Sequence, residues 1–499
     1  MPNTINAIIA SLSRQEYRDL KLYCSSGRYA EREDVKLLEV IRTGRNSSGK
    51  NSNAVHQTRK RLKKTVEQFI IKKCVQQDIQ FRIYSFMEIA KHLFRKNMYR
   101  EAWDYLLKAE ALAIEAEEYN LLDHNYYIQI TYCHNEAAHP QSDFSVERLL
   151  EKRAENKLLA DIESNAKAAY AFLVNELNKQ FSEQLVVNVD QLTQDILKQF
   201  GLNEKLYDNK LRIYSKIVTL VCRVLREKRE YTNLKNYAIN SYKLIRKNKE
   251  IHNLSDEFLI DLLDAICVGT LRSKDYKNCE KYTRLYEVQA KKMIAHSGRY
   301  TFYDFIQYVG VCDLSLCTNQ LALAKETMLA AKKKYMNSTY IRISFLLRIN
   351  LIAVHFCCRE YAACIKLYNE IRSLNEKEIL AEPGFRLELI LFSDIYAIIF
   401  HYEEKEEEFA LYLLEKFKRK YKTFLSQPDL KREKIFIELL EGILKNRQYL
   451  STEANKIKTR KYIALRTYIP GDFEYISMNA WLQSKLSGKS YYESFLQLV

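Results

Sequence analysis

Two histidines, His134 and His139, flank Asn135-Glu136-Ala137-Ala138. A zinc hydrolase needs H-E-x-x-H, which sets both rings on one helix face beside a glutamate base. Here the histidines are 5 positions apart, so a helix splays them, and Pro140 ends any helix at that point. Gly44, Gly49 and Lys50 fit the phosphate-cradling G-x-x-x-x-G-K, but Asn51 stands where Ser or Thr would ligand magnesium. A helical pattern, not a buried strand, precedes that loop. The 11 cysteines contain no C-x2-C pair, and the adjacent Cys357 and Cys358 point to different sides of a helix. His92 and His355 fall inside helical patterns and read as satisfied interior or boundary groups. No G-x-S-x-G, Gly-rich dinucleotide loop or paired-carboxylate motif stands out. The expectation is a non-enzymatic protein with no cofactor and no metal site.

Charge offers a second chemistry, the contact of cations with phosphates. The chain carries a net +16, which favours acidic partners. Between Arg42 and Lys73 only Glu67 opposes a basic run that includes Arg45, Lys50, Arg59, Lys60, Arg61, Lys63 and Lys64. These seven are candidate contacts for an anionic ligand such as nucleic acid. The plainer reading is a solvated face. A helix-turn-helix needs a short turn, and the gap before the third helix is about nine residues. A second basic stretch, 209–249, holds 12 Lys and Arg against Glu227 and Glu230. By contrast, residues 403–408 form an acidic turn.

The elements that must position these groups read as helices. With 11 Gly and 5 Pro in 499 residues, strands, hairpins and long loops are poorly served. An apolar fraction of 47% suffices for a continuous core. Residues 1–77 read as a basic N-terminal block. Its helices run from Ser13 as cap to Ser26, from Glu31 to Thr43, and from Asn53 to Gln77 with Val55, Leu62, Val66, Phe69 and Ile70 as its stripe. The opening residues lack a basic region and apolar core of a secretory signal. Leu389–Phe400, the most apolar window, is short and holds Asp394, so no membrane span is expected. The odd cysteine count without a framework suits a reducing, cytoplasmic setting.

Residues 78–425 carry a repeat. In Phe81–Glu118 two helical patterns meet at the polar turn Arg95-Lys96-Asn97. Phe86, Ile89, Ala90 and Leu93 lie on the first, Tyr99, Ala102, Leu106 and Ala109 on the second. Small residues let helices approach and large ones fill the groove beside them, as in a tetratricopeptide unit. The signal blurs over 120–201: Leu121–Tyr132 reads as a helix, Phe144–Phe181 as a long helix or two helices end to end, and Val189–Phe200 as another, and the spacing from Tyr99 to Tyr231 leaves room for two degenerate hairpins. It then returns at steps of 45 (Tyr231 to Tyr276), 45 (to Leu321), 40 (to Tyr361) and 46 (Cys364 to Ala410). These exceed the standard repeat of about 34 residues, so longer helices are expected. Cys222, Cys267, Cys279, Cys312 and Cys364 occupy the small-residue slots and read as core filler. Residues 426–499 should close the open end of the array as a helical cap.

The opening INAIIASLSRQEYRDLKLYCS, the segment KLLEVIRTG, the repeats and the closing DFEYISMNAWLQSKLSGKSYYESF together resemble an uncharacterised bacterial family of tetratricopeptide-like helical-repeat proteins. The likeness spans most of the chain and implies fold and cytoplasmic location alone. The expected fold is therefore an all-α, TPR-like α-solenoid of antiparallel helix pairs with a basic N-terminal helical block and a C-terminal cap. Its expected function is a protein–protein interaction scaffold that binds a protein or peptide in the concave groove lined by the first helix of each pair. Tyr340, Arg342 and Arg348, and Asp264 and Arg272, are the candidate groove contacts. The alternative is a nucleic-acid-associated regulator that uses the basic N-terminal helices, with the repeats as sensor.

Overall fold

The computed structural model describes residues 14–25, 33–43, 52–134, 145–182, 189–202, 210–248, 254–296, 301–336, 340–374, 387–425, 431–465 and 475–499, with isolated positions between them. Ser13, the loop 44–51 with Arg45 and Lys50, and residues 135–144 with His139 lie outside these. The described residues form helices joined by short turns and contain no strand.

The first block is α1 (Arg14–Ser25), α2 (Glu33–Thr43) and α3 (Ser52–Gln77). It encloses its own core of Leu20, Leu37, Leu38, Leu62, Val66 and Phe69. Next come α4 (Ile79–Phe94), α5 (Tyr99–Glu115), α6 (Tyr119–Tyr132), α7 (Val146–Ser182) and α8 (Val189–Gln199). Then follow the pairs α9 (Leu211–Glu227) and α10 (Tyr231–Lys247), α11 (Asp256–Arg272) and α12 (Tyr276–His296), and α13 (Thr301–Cys317) and α14 (Leu321–Tyr335). The last pairs are α15 (Ile341–Cys357) with α16 (Tyr361–Arg372) and α17 (Leu387–Glu403) with α18 (Glu407–Lys420). The chain ends in α19 (Lys422–Leu425), α20 (Lys431–Lys445), α21 (Glu453–Ala464), α22 (Met478–Ser487) and α23 (Tyr491–Leu496). Helices pack in consecutive pairs, and first helices of successive pairs, α9, α11, α13 and α15, also touch side by side.

One turn joins the two helices of most pairs. Asn97, Arg229, Lys274, Asn319, Arg359 and Lys405, and Glu117 between α5 and α6, all adopt φ between 52° and 68°. At each, the next N–H reaches back five residues: Met98 to Leu93, Glu118 to Ala113, Glu230 to Leu225, Asp275 to Thr270, Gln320 to Ser315, Glu360 to His355 and Glu406 to His401. This left-handed cap satisfies the last carbonyls of the first helix and aims the chain into the second. Glycine usually holds that position; here polar residues do, at a cost of roughly 1–2 kcal/mol each. Arg359→Gly and Lys405→Gly should each raise stability by about 0.5–1 kcal/mol. An unchanged or lower urea midpoint would contradict this. The turn positions 229, 274, 319, 359 and 405 repeat the spacings 45, 45, 40 and 46 expected from sequence.

The structure corrects three expectations. On α4 the core face is Ile83, Met87, Ala90 and Phe94, and Ile89 is exposed. Apolar residues stand on both sides of this helix, so periodicity alone did not choose the stripe that α5 covers. In the blurred region the reading of 144–181 as one long helix holds: α7 runs unbroken for 37 residues and packs against α6, and the short α8 follows. Cys222, Cys279, Cys312 and Cys364 are buried as expected, but Cys267 is half-buried. The C-terminal segment packs back along the array instead of only closing its end. The Trp481 Nε1–H donates to Glu403 at 2.7 Å, and Tyr491 sets its ring against Phe356 with centroids 4.6 Å apart. The Tyr492 hydroxyl donates to the Leu316 carbonyl at 3.0 Å, and Lys274 Nζ donates to the Leu498 carbonyl at 2.6 Å. The tail thus crosses the turn ends of α17, α15, α13 and α11 in that order.

Candidate functional site: a recess between first helices

Where α11, α13 and α15 lie side by side, a recess of about 260 Å³ opens between them. Its apolar wall includes Val268 and Leu271 from α11, Phe302, Ile306 and Val309 from α13, Leu346 from α15 and Leu389 from α17. Gly310 faces it, and a Cβ built there would meet nothing within 4 Å. The helical pattern explains this composition. Half-buried positions beside the core stripe of a first helix are apolar, and among the described residues no helix fills the space in front of them.

Polar groups converge on the same space: Arg226, Asp264, Arg272, Asp313, Arg342, Asn350 and Tyr475. Arg226 is held by Asp264, with Nη1–Oδ2 at 2.9 Å. The Arg272 guanidinium stacks 4.8 Å from the Tyr231 ring centre and donates to its hydroxyl. Arg342 stacks 4.4 Å from the centre of Phe302. Stacking holds a guanidinium plane in place. Among the described residues no hydrogen bond or ion pair reaches the Asp313 carboxyl. Burial pushes its pKa up to about 7, with the Arg272 charge pulling the other way. Burial raises the Tyr475 phenol too, aided by Asp313 and opposed by Arg272 and Arg342, so it stays a neutral hydroxyl. Burial likewise raises the thiols of Cys267 and Cys279. Thiols in this state are poor nucleophiles.

Of the groove residues expected from sequence, Asp264, Arg272 and Arg342 come together here. Tyr340 is exposed at the start of α15. Arg348 pairs with Glu370 at 3.1 Å and donates to Ser344; neither residue lines the recess. Asp313 and Tyr475 escaped sequence reasoning. Asp313 is an acid inside the apolar run 308–317, a local signal of a polar group facing a recess. Tyr475 arrives from a distant segment and leaves no local trace.

The two basic stretches differ in what their cations meet. In 209–249 five of the cations pair with acids: Arg212 with Glu118 and Glu163, Arg223 with Glu227, Arg226 with Asp264, Lys228 with Glu230 and Lys235 with Asp275. On α3, Leu62, Val66 and Phe69 face the core, while Lys60, Arg61, Lys63 and Lys64 are exposed and Arg59 is half-buried. Lys63 meets Glu67 only at 3.7 Å. Among the described residues no helix is long and apolar enough to cross a membrane. No protein-family model matches the chain, and no curated protein matches it.

Proposed function

We propose that this chain is a non-enzymatic, cytoplasmic scaffold, a TPR-like α-solenoid that holds a protein or peptide partner along its first helices. The observation that carries the reading is the recess shared by α11, α13 and α15. A row of first helices offers a long surface whose half-buried apolar positions and fixed charges suit a partner segment. Gly310→Phe places a ring in open space inside that recess and should fold normally. Capture from the protein's own cell lysate, after nuclease treatment, should recover a protein partner with the natural chain and lose it with Gly310→Phe. Equal recovery with both would reject the recess as the contact.

A second reading rests on α3. Its exposed cations could meet phosphates, with the repeats acting as sensor. Changing Arg59, Lys60, Arg61, Lys63 and Lys64 together to Glu should abolish salt-sensitive retention on heparin or DNA. Retention that stays the same would remove this reading.

A further inference from the structure

We propose that the recess between α11, α13 and α15 binds a small neutral primary amide. Its two N–H groups donate to Asp313 and Asn350, its carbonyl accepts from Tyr475, and its apolar body lies along Val309 and Leu346. This goes beyond the partner reading and does not rest on it. The size is suitable. A cavity of about 150 Å³ admits benzene, so about 260 Å³ admits a ligand of roughly ten heavy atoms. Gly310 keeps the space between the helices open, since a Cβ there would meet nothing within 4 Å.

Hydrogen-bonding capacity decides the ligand class. Three groups of the lining have capacity that the described residues leave unused. On α13, no described residue donates to the Asp313 carboxyl. On α15, Asn350 is 2% exposed, and its Nδ2 donates to the Leu346 carbonyl at 2.7 Å. Among the described residues nothing donates to its Oδ1. From the C-terminal segment, the Tyr475 hydroxyl keeps its proton and bonds no described residue. Polar groups taken out of bulk water are satisfied by a partner of matching polarity. Two acceptors and one donor are the complement of a primary amide, with its two N–H groups and one carbonyl. An alcohol brings a single donor, and an ester brings none.

Charge disfavours the ionic relatives of that group. The guanidiniums of Arg226, Arg272 and Arg342 and the carboxyls of Asp264 and Asp313 all line the recess. A ligand of either sign therefore meets a like charge, whereas a neutral one does not. A carboxylate would stand beside the Asp313 carboxyl and has no N–H for it or for Asn350. An amidinium would stand beside guanidiniums and has no oxygen to accept from Tyr475. The amide keeps the shape of both and the charge of neither.

The test is titration calorimetry on the purified full chain at pH 8, where an Asp313 carboxyl near 7 is mostly ionised and accepts. The probes are benzamide, benzoate and benzamidine, which share one shape and differ in charge. Benzamide should bind with a Kd of about 0.1–1 mM, and the other two about tenfold more weakly or worse. Tyr475→Phe removes one hydroxyl and should weaken benzamide by about three- to tenfold. Asp313→Leu removes the charged acceptor and should weaken it by about tenfold or more. Gly310→Phe should abolish binding. Absence of benzamide binding, tighter binding of benzoate or benzamidine, or affinity unchanged by Tyr475→Phe and Asp313→Leu would each overturn the assignment. The measurement needs no partner protein, so its failure leaves the scaffold reading standing.

Discussion

Arg212→Met should lower stability by about 3–5 kcal/mol and release the early helices from the rest of the array. The Arg212 side chain is 19% exposed and bonds Glu163, which is 1% exposed, with Nε–Oε1 at 2.9 Å. It also pairs with Glu118 at the turn before α6, while its backbone N–H donates to Glu117 at 2.7 Å. Three acids from the α5–α6 turn and α7 thus converge on the first turn of α9. Removing the cation leaves Glu163 buried and bonded to Lys167 at 2.7 Å, its stronger partner gone. Breaking one side of a buried pair costs far more than losing an exposed pair such as Arg284–Glu280.

The consequence has a pH signature. Burial alone would raise Glu163, but the Lys167 hydrogen bond and the Arg212 charge and bond hold it below the usual glutamate value. A depressed carboxyl stabilises the fold above the ordinary value of about 4.3 and loses that contribution as pH falls through its own lower pKa. Arg212→Met should remove much of this acid-side loss. Urea unfolding gives the magnitude, and hydrogen exchange should show α5–α7 opening before α11–α17. A loss below about 1 kcal/mol, in the range of surface pairs, would refute the keystone role given to Arg212.

Gly269→Ala should cost about 2–3 kcal/mol, although alanine is the better helix former by roughly 1 kcal/mol. A Cβ at Gly269 would stand 2.9 Å from the Lys235 backbone nitrogen and 3.0 Å from its Cα. Those are main-chain atoms of α10 and cannot swing aside, so α10 and α11 must separate. Gly310, also inside a first helix, meets nothing within 4 Å, and Gly310→Ala should stabilise by roughly 0.5–1 kcal/mol. Opposite signs at two helical glycines separate close packing from propensity. A stable Gly269→Ala would show that the crossing tolerates a wider gap.

Much of this architecture is local and could be read from the chain. The helix of residues 52–77 was expected within a residue of its observed start, and the 45, 45, 40, 46 spacing reappears in the left-handed turn residues. Spacing of apolar and small residues along a helix is a property of neighbours three and four apart, so a linear string carries it. It carries less where both faces are apolar, as at Ile83, Met87 and Ile89 of α4, because the choice belongs to the helix packed on top. The hidden αL turn is local too, but polar residues such as Arg359 and Lys405 in place of glycine concealed it.

Only tertiary structure decided which charges meet. Twelve cations in 209–249 stand against two acids in the sequence, yet Arg212, Arg226 and Lys235 are bound to acids from distant parts of the chain. The meeting of Arg272, Asp313, Arg342 and Tyr475 at one recess depends on how α11, α13 and α15 stack and on where the tail returns. Helix formation is set by short-range pattern and burial of one face; convergence of side chains is set by the rotation and offset between helices, which no spacing within a single helix encodes.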